Sequence, residues 1–294
     1  MAIFRRPGRS GEPDPAPGHI ADELAELVEE MEKPAPGPAE GGTDWRVAEY
    51  GAERGRRRAA ELIASVARRL GTGSRSAAKG AARGGRTLAD QLIQAAPRIP
   101  IRNLATLRSQ HPTAADPDAL AKLLILGAAR ASAALGAGVG AAAMLPVPPA
   151  MPVEIAAETL AVAAVEIKLI AELHEVYGVP AQGTATHRAS AYLGAWAGRR
   201  GINATTLVKP AGFAAMALGG EVRQQVRKRL TRSTLRRLPT MIPLLVGAGL
   251  GATINRRDTR KVGRAVHKDL RSRRPADGAY WSAAAPAVQG ETAP

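Results

Sequence analysis

Apolar residues recur three and four positions apart along most of this chain, which is the period of a helix with one buried side. In ADELAELVEEMEK, residues 21–33, Leu24, Leu27, Val28 and Met31 fall on one stripe. The same spacing runs through residues 44–71 and predicts a helix that begins at Asp44. Two shorter helices are predicted at 87–96 and 101–110, because prolines separate two short apolar runs there.

Two long stretches carry no charged residue. The first runs from Ala131 to Val153, 23 positions, and the second from Leu238 to Asn255, 18 positions. About 20 apolar residues suffice to cross a bilayer. Ala and Gly dominate both stretches, however, and several prolines interrupt the first, so a simple spanning helix is not expected. Docking on or in a bilayer and packing in a water-soluble core both stay open.

Each uncharged stretch contains two glycines four residues apart. Such pairs let a second helix approach closely, in a membrane or in a soluble core. Pro146 marks the break after the first pair. We therefore predict that five residues act in helix packing or in membrane hairpins: Gly136, Gly140, Pro146, Gly247 and Gly251.

A long helix is predicted from Pro152 to Tyr177, with Gly178 as its stop. The helix before it should begin near Pro117, with Asp116 or Asp118 as its cap. At 100° per residue, five charged residues of the long helix fall within an arc of roughly 100°. They are Glu154, Glu158, Lys168, Glu172 and Glu175. We expect them on a solvated or salt-bridged face. A di-metal site would need a Glu-x-x-His pair on each of two helices, and none occurs here.

Composition favours an all-α fold. Aromatic residues make up 3% of the chain and cysteine is absent, which argues against a sheet and excludes disulfides and cysteine-ligated metals. We expect a helical bundle with Gly/Ala-rich apolar hairpins and disordered tails. The predicted divisions are a disordered acidic region at 1–43, a basic helical extension and linker at 44–110, a helical domain at 111–274 and a disordered tail at 275–294.

The net charge of +15 is distributed in bands. It is −5 over residues 1–43, +9 over 44–110, −3 over 111–190 and +14 over 191–294. Basic bands serve anionic lipid, nucleic acid or a solvated surface, and composition does not choose among them. We predict two clusters of anionic-surface contacts: Arg54, Arg56, Arg57 and Arg58 in the first band, and Arg227, Arg229, Arg236 and Arg237 in the second.

Motifs for chemistry are absent from the sequence. GAGVGA at 136–141 and GAGLGA at 247–252 match a variant of the dinucleotide fingerprint, but neither lies in a strand–helix–strand unit. The five histidines are scattered, without an HExxH pair, and the chain has no GxSxG elbow. We predict no catalytic, cofactor-binding or metal-ligating residues.

The two Gly-rich segments together resemble the EcsC family. GAGVGAAAMLPVPPAMPVEIAAETLAVAAVEIKLIAELHEVYGVP is similar to that family's glycine-rich turn, Leu-Pro, long helix and Tyr-Gly ending, and IPLLVGAGLGATINRRDTRKVGRAV to its later Pro, Gly-Ala, Gly, Asn signature. The family usually follows Leu-Pro with an acidic residue and Leu, where Val147 and Pro148 stand here. The resemblance implies a bacterial helical protein, often membrane-associated, and supplies no catalytic residues.

These observations predict a non-enzymatic helical protein on the cytoplasmic side of a membrane, with a structural or regulatory role. No signal peptide is predicted, because the first residues lack an apolar core region. Expected partners are anionic membrane lipid and either a second copy or a membrane protein. The alternatives are a soluble basic bundle that binds nucleic acid and an enzyme with a dispersed active site.

Overall fold

The computed structural model describes residues 19–32, 60–61, 64, 90–142, 151–199 and 245–284. These residues form helices and no strand, and the predicted all-α class is confirmed. A short helical run at 90–95 leads into a 3-10 turn at Ala96–Arg98. The α-helices are α1 (His19–Glu32), α2 (Leu104–Gln110), α3 (Pro117–Ala142), α4 (Met151–Val176), α5 (Ala185–Arg199), α6 (Leu245–Arg271) and α7 (Ala279–Ala283).

Several predicted features lie outside the described residues. They include most of the helix at 44–71, the basic helix at 221–239 and the following residues up to 244. The residues concerned are Arg54, Arg56, Arg57, Arg58, Arg227, Arg229, Arg236, Arg237 and Pro146.

The helix ends follow from local chemistry. Asp116 accepts a hydrogen bond of 2.7 Å from the Ala119 backbone N–H, so Asp116 caps α3 and Pro117 occupies its first turn. At the end of α4, Gly178 has φ +67, a left-handed conformation that favours glycine. The Val179 N–H donates to the His174 carbonyl, 3.0 Å, which closes a Schellman-type end. Both predicted boundaries are confirmed.

Helix α4 is the centre of the bundle. Every residue from 157 to 173 is buried, because α1, α3, α5 and α6 pack around it. A helix that is covered on all sides is expected to be apolar all round. Five of these buried residues are polar or charged, and each of them therefore needs a partner within the protein: Glu158, Thr159, Glu166, Lys168 and Glu172.

Helices α3 and α6 run antiparallel and touch along their length. Asp118, at the start of α3, lies 3.3 Å from Arg271 at the end of α6. At the other end Gly136 meets Gly251: a Cβ on Gly136 would stand 2.8 Å from the Gly251 carbonyl oxygen. The two Gly-rich stretches of the sequence thus lie against each other. The surroundings of Gly140 and Gly247 lie outside what the structure describes. That both glycines of each pair act in helix packing therefore stays a prediction.

Two helices lie within the segments that the sequence analysis assigned to the tails. Within residues 1–43, α1 buries Leu24, Leu27 and Val28 completely in the core. Within residues 275–294, α7 places Tyr280 and Trp281 against the same core. Residues 19–32 and 279–284 therefore contact the core of the bundle.

One helix in the described part of the chain has the length and the mean hydropathy of a membrane span. It covers Pro117–Ala137, of which 56% is buried within the protein. This stretch begins earlier than the predicted uncharged segment at 131–153, because Leu120, Leu124 and Ile125 raise its hydropathy. Length and composition are all that this finding covers.

Candidate functional site

Three of the five charged residues predicted to share a face of α4 are buried, and this corrects the expectation of a solvated face for them; Glu175 is partly buried, and the burial of Glu154 lies outside what the structure describes. Glu158, Lys168 and Glu172 expose 5%, 2% and 1% of their surface. Of the two alternatives for this face, salt bridging holds for the pair Lys168–Glu172, which is 2.7 Å apart. Periodicity placed these residues on one side of the helix, but other helices cover that side.

Glu158 joins α4 to α6. The Asn255 side-chain amide donates a hydrogen bond of 2.7 Å to Glu158 Oε1, and both residues are buried. The same amide nitrogen would stand 2.6 Å from a Cβ on Gly136. Asn255 therefore occupies the space that the missing side chain of Gly136 leaves open.

Glu166 is fully buried and binds α5 and α6 together. The Trp196 indole N–H donates to its Oε2, 2.7 Å. Thr259 Oγ1 lies 3.1 Å from Glu166 Oε1 and 2.9 Å from Ser132 Oγ. An ionised carboxylate only accepts, so Thr259 donates to Glu166 and accepts from Ser132. One carboxylate thus links α3, α4, α5 and α6.

Glu172 holds the chain before α2 against α4. Its two carboxylate oxygens accept from Arg102 Nε, 2.7 Å, and from Arg102 Nη2, 2.6 Å, a bidentate pair. Lys168 Nζ, 2.7 Å from Glu172, also donates to the carbonyl oxygen of Pro100. Charge-assisted hydrogen bonds of this kind compensate the cost of burial. The arrangement is structural, because the oxygens of Glu172 are taken up by donors of the protein.

A second polar cluster lies where α3 begins and α4 and α6 end. Tyr177 Oη donates to Asp118, 2.7 Å, and the Tyr177 ring stacks on His267. Burial opposes the ionisation of Asp118, but the Tyr177 hydrogen bond and the Arg271 charge outweigh it and lower its pKa. Burial raises the pKa of Tyr177, and the hydrogen bond to Asp118 raises it further. Asp118 is therefore a charged anchor for two helix ends.

The pKa values of three partly buried histidines lie below the ordinary 6.5, chiefly because burial disfavours the imidazolium. These histidines are His111, His174 and His267. His174 Nδ1 lies 2.7 Å from the Ile170 carbonyl, so that nitrogen carries the proton of the neutral ring. The ring also contacts Tyr192, with 5.2 Å between ring centres. In the described part of the chain no three histidine, aspartate or glutamate residues are grouped as metal ligands would be.

The outer side of α6 is strongly basic. We name it the α6 basic face: Arg256, Arg257, Arg260, Lys261, Arg264 and Lys268. At 100° per residue these six cations occupy an arc of roughly 140°, opposite the buried side of the helix. Thr253 and the first five of them line an open groove of about 580 Å³.

The cations of the α6 basic face have no ion-pair partner among the residues that the structure describes. At 100° per residue the two carboxylates of α6 lie beyond the edge of this arc, Asp258 by roughly 60° and Asp269 by roughly 80°. Asp269 binds Arg199 at 2.6 Å. Six like charges side by side repel one another unless an anion neutralises them. The face is therefore suited to a partner that carries several negative charges.

The sequence predictions of anionic contact named other residues. The spacing RRDTRKVGR does contain the pattern of the α6 basic face, with arginines four residues apart at Arg256, Arg260 and Arg264. What the sequence does not give is that Asn255, Thr259 and Val262 bury the opposite side. This burial fixes which cations face outward.

Comparisons with known proteins give no relative. No protein-family model matches the chain, and neither a curated protein nor a solved structure matches it. The resemblance to the EcsC family accordingly stays a prediction from the residues quoted above.

Proposed function

We propose that this protein is a non-enzymatic, membrane-associated helical protein that binds anionic lipid headgroups through the α6 basic face. The observation that carries the proposal is the row of six outward-facing cations without a carboxylate partner in the described structure. Each basic residue near an anionic membrane surface contributes about 1 kcal/mol of attraction. Six together are enough for reversible binding.

Three further features favour lipid over nucleic acid. Ile254 is 50% exposed and follows directly on Thr253, which lines the groove, so an apolar side chain accompanies the cations as in interfacial helices. The α6 basic face contains no aromatic side chain on which a base could stack. Helix α3 adds a stretch with the hydropathy of a membrane segment.

The test measures binding of the full chain to vesicles of phosphatidylcholine with 30% phosphatidylglycerol, and to vesicles of phosphatidylcholine alone, by co-sedimentation. We expect binding to the anionic vesicles only. Arg257→Glu should weaken it by about 30-fold, because the change removes one attraction and adds one repulsion of about 1 kcal/mol each. Arg188→Glu is the matched control, since Arg188 is an exposed arginine of α5 and the change in net charge is the same.

Two outcomes contradict the proposal. One is equal loss of vesicle binding for Arg257→Glu and Arg188→Glu, which would mean that only net charge matters. The other is strong binding of a mixed-sequence DNA or RNA duplex, measured by fluorescence anisotropy, with no binding to the vesicles. In that case the α6 basic face would serve nucleic acid phosphates instead.

A further inference from the structure

The chain after α6 folds back onto the end of the bundle. We name residues 275–284 the C-terminal clasp. Its helix, α7, follows Gly278, whose φ of +62 permits the reversal of direction. The clasp lies beside α2 and the end of α4, and it is the one described segment that places two aromatic residues, Tyr280 and Trp281, in partly exposed positions next to each other.

Arg108 of α2 holds Trp281. Arg108 Nη1 donates to the Trp281 carbonyl oxygen at 2.5 Å, and the guanidinium carbon lies 4.4 Å from the centre of the indole ring. The second contact is a cation–π interaction. One arginine side chain thus contacts both the backbone and the ring of Trp281.

Tyr280 rests on Gly178. A Cβ on Gly178 would stand 2.6 Å from the Tyr280 ring, so the ring packs directly on the glycine backbone at the end of α4. Tyr280 and Trp281 both touch the hydrophobic core, yet both stay partly exposed. The docking of the clasp is therefore shallow.

Among the described residues of the clasp, Ala284 also packs against the core. Helix α7 has five residues, whereas isolated helices shorter than about 12 residues are marginal in water. Pro275 and Gly278 separate it from α6, so the long helix lends it no support. Loss of the Arg108 and Tyr280 contacts would release the segment as a short flexible chain.

The released segment would have the composition of a membrane-interface anchor. Tyr and Trp concentrate at the headgroup level of bilayers, where their rings are apolar and their tips stay hydrated. Arg274 lies immediately before the clasp and is exposed, as is Arg273. Basic residues beside interfacial aromatics add attraction to anionic headgroups.

We propose that the C-terminal clasp exchanges its contact with Arg108 for the headgroup region of the membrane that the α6 basic face binds. This inference rests on the proposed function. The seven residues from Pro275 to Trp281 span up to about 24 Å when extended, roughly twice the diameter of a helix. Trp281 can therefore reach a membrane that lies against α6.

Trp281 fluorescence tests the exchange directly. Trp45 is replaced by phenylalanine; Trp196 is buried and bonded to Glu166, so its signal stays constant. Anionic vesicles should shift the emission of Trp281 to shorter wavelength, and brominated lipids should quench it. If the protein sediments with the vesicles while Trp281 is neither shifted nor quenched, the clasp stays docked and this inference fails. The proposed function would then stand.

Arg108→Ala supplies a second readout with a counterintuitive sign. The variant loses one positive charge, so electrostatics alone predicts weaker binding to anionic vesicles. Because it also frees Trp281, we expect an affinity at least three times higher than that of the matched variant Arg188→Ala. Equal affinities of the two variants would overturn the clasp exchange. Equal loss of vesicle binding for Arg257→Glu and Arg188→Glu would instead overturn the proposed function.

Discussion

Gly136 and Gly251 touch backbone to backbone where α3 crosses α6. A Cβ on Gly136 would stand 2.8 Å from the Gly251 carbonyl oxygen, a distance that real side chains do not adopt. From the other side, a Cβ on Gly251 would stand 3.2 Å from the Gly136 carbonyl oxygen. The crossing lets Asn255 reach Glu158, so the glycine contact also positions a buried hydrogen bond.

The first prediction concerns this crossing. Gly136→Ala should lower the free energy of unfolding by about 1–3 kcal/mol, because the backbone of α6 must move away. Gly127→Ala is the control on the same helix, since nothing lies within 4 Å of a Cβ there. It should raise stability by about 0.5–1 kcal/mol through helix propensity. Urea denaturation of the two variants measures both effects, and a Gly136→Ala protein as stable as Gly127→Ala would show that the helices are not in contact.

A second prediction concerns the buried ion pair of Lys168 and Glu172. Glu172→Gln leaves the ammonium of Lys168 buried without a carboxylate, and we expect a loss of about 3–5 kcal/mol in the free energy of unfolding. Adding Lys168→Met should recover part of this loss, because the buried ammonium is then gone and the charge left without a carboxylate is that of Arg102, whose side chain is 21% exposed. Thermal or urea unfolding of the single and double variants measures the difference.

The control for this pair is Asp269→Asn. Asp269 and Arg199 form an ion pair of 2.6 Å whose side chains are each 28% exposed. Water screens such pairs, so the change should cost less than about 1 kcal/mol. Similar losses for Glu172→Gln and Asp269→Asn would mean that the burial of Glu172 adds nothing.

Local signals in the sequence gave the helix ends. Asp116, Pro117 and Gly178 act through contacts within a few residues, and their placement needs no knowledge of the rest of the chain. Burial of the charged residues was not predictable in this way. Glu158 and Glu172 share a side of α4 in the pattern expected of a surface, and only the packing of α6 and of the chain before α2 covers them.

The candidate site, too, was predictable from the sequence only in part. The basic character of residues 191–294 is plain from the sequence, but the choice among its 19 basic residues is not. Contacts from α6 to Ser132 and Glu166 fix the rotation of the helix and turn six cations outward. The clasp was missed for a related reason, since Tyr280 and Trp281 stand alone between small and polar residues and show no period.

The third prediction tests the four-helix link at Glu166. Thr259→Val keeps the shape of the side chain and removes the hydroxyl that lies 3.1 Å from Glu166 Oε1. Leaving a buried acceptor without this donor should cost about 1–3 kcal/mol. Thr186→Val is the matched control on the exposed side of α5, where the effect should stay within about 0.5 kcal/mol. A Thr259→Val protein as stable as the parent would show that the hydrogen bond between Thr259 and Glu166 contributes nothing to stability.

The last prediction is a loss of stability in mild acid. His111, His174 and His267 have pKa values below 6.5 in the folded protein, chiefly through burial. Below about pH 6.5 the unfolded chain therefore binds more protons than the folded chain, and the free energy of unfolding falls as the pH decreases. The stabilisation is fully present above the unfolded pKa and is lost as the pH falls through the folded values.

His174→Gln isolates one contribution. The glutamine does not titrate, so the decline in the free energy of unfolding between pH 7.5 and 5 should become shallower by up to about 1.4 kcal/mol per pH unit. Urea denaturation at half-unit pH steps measures the slope in both proteins. The variant loses the hydrogen bond to Ile170, so its whole curve is displaced downward. Only the slope counts, and parallel curves would show that His174 takes up no extra proton on unfolding.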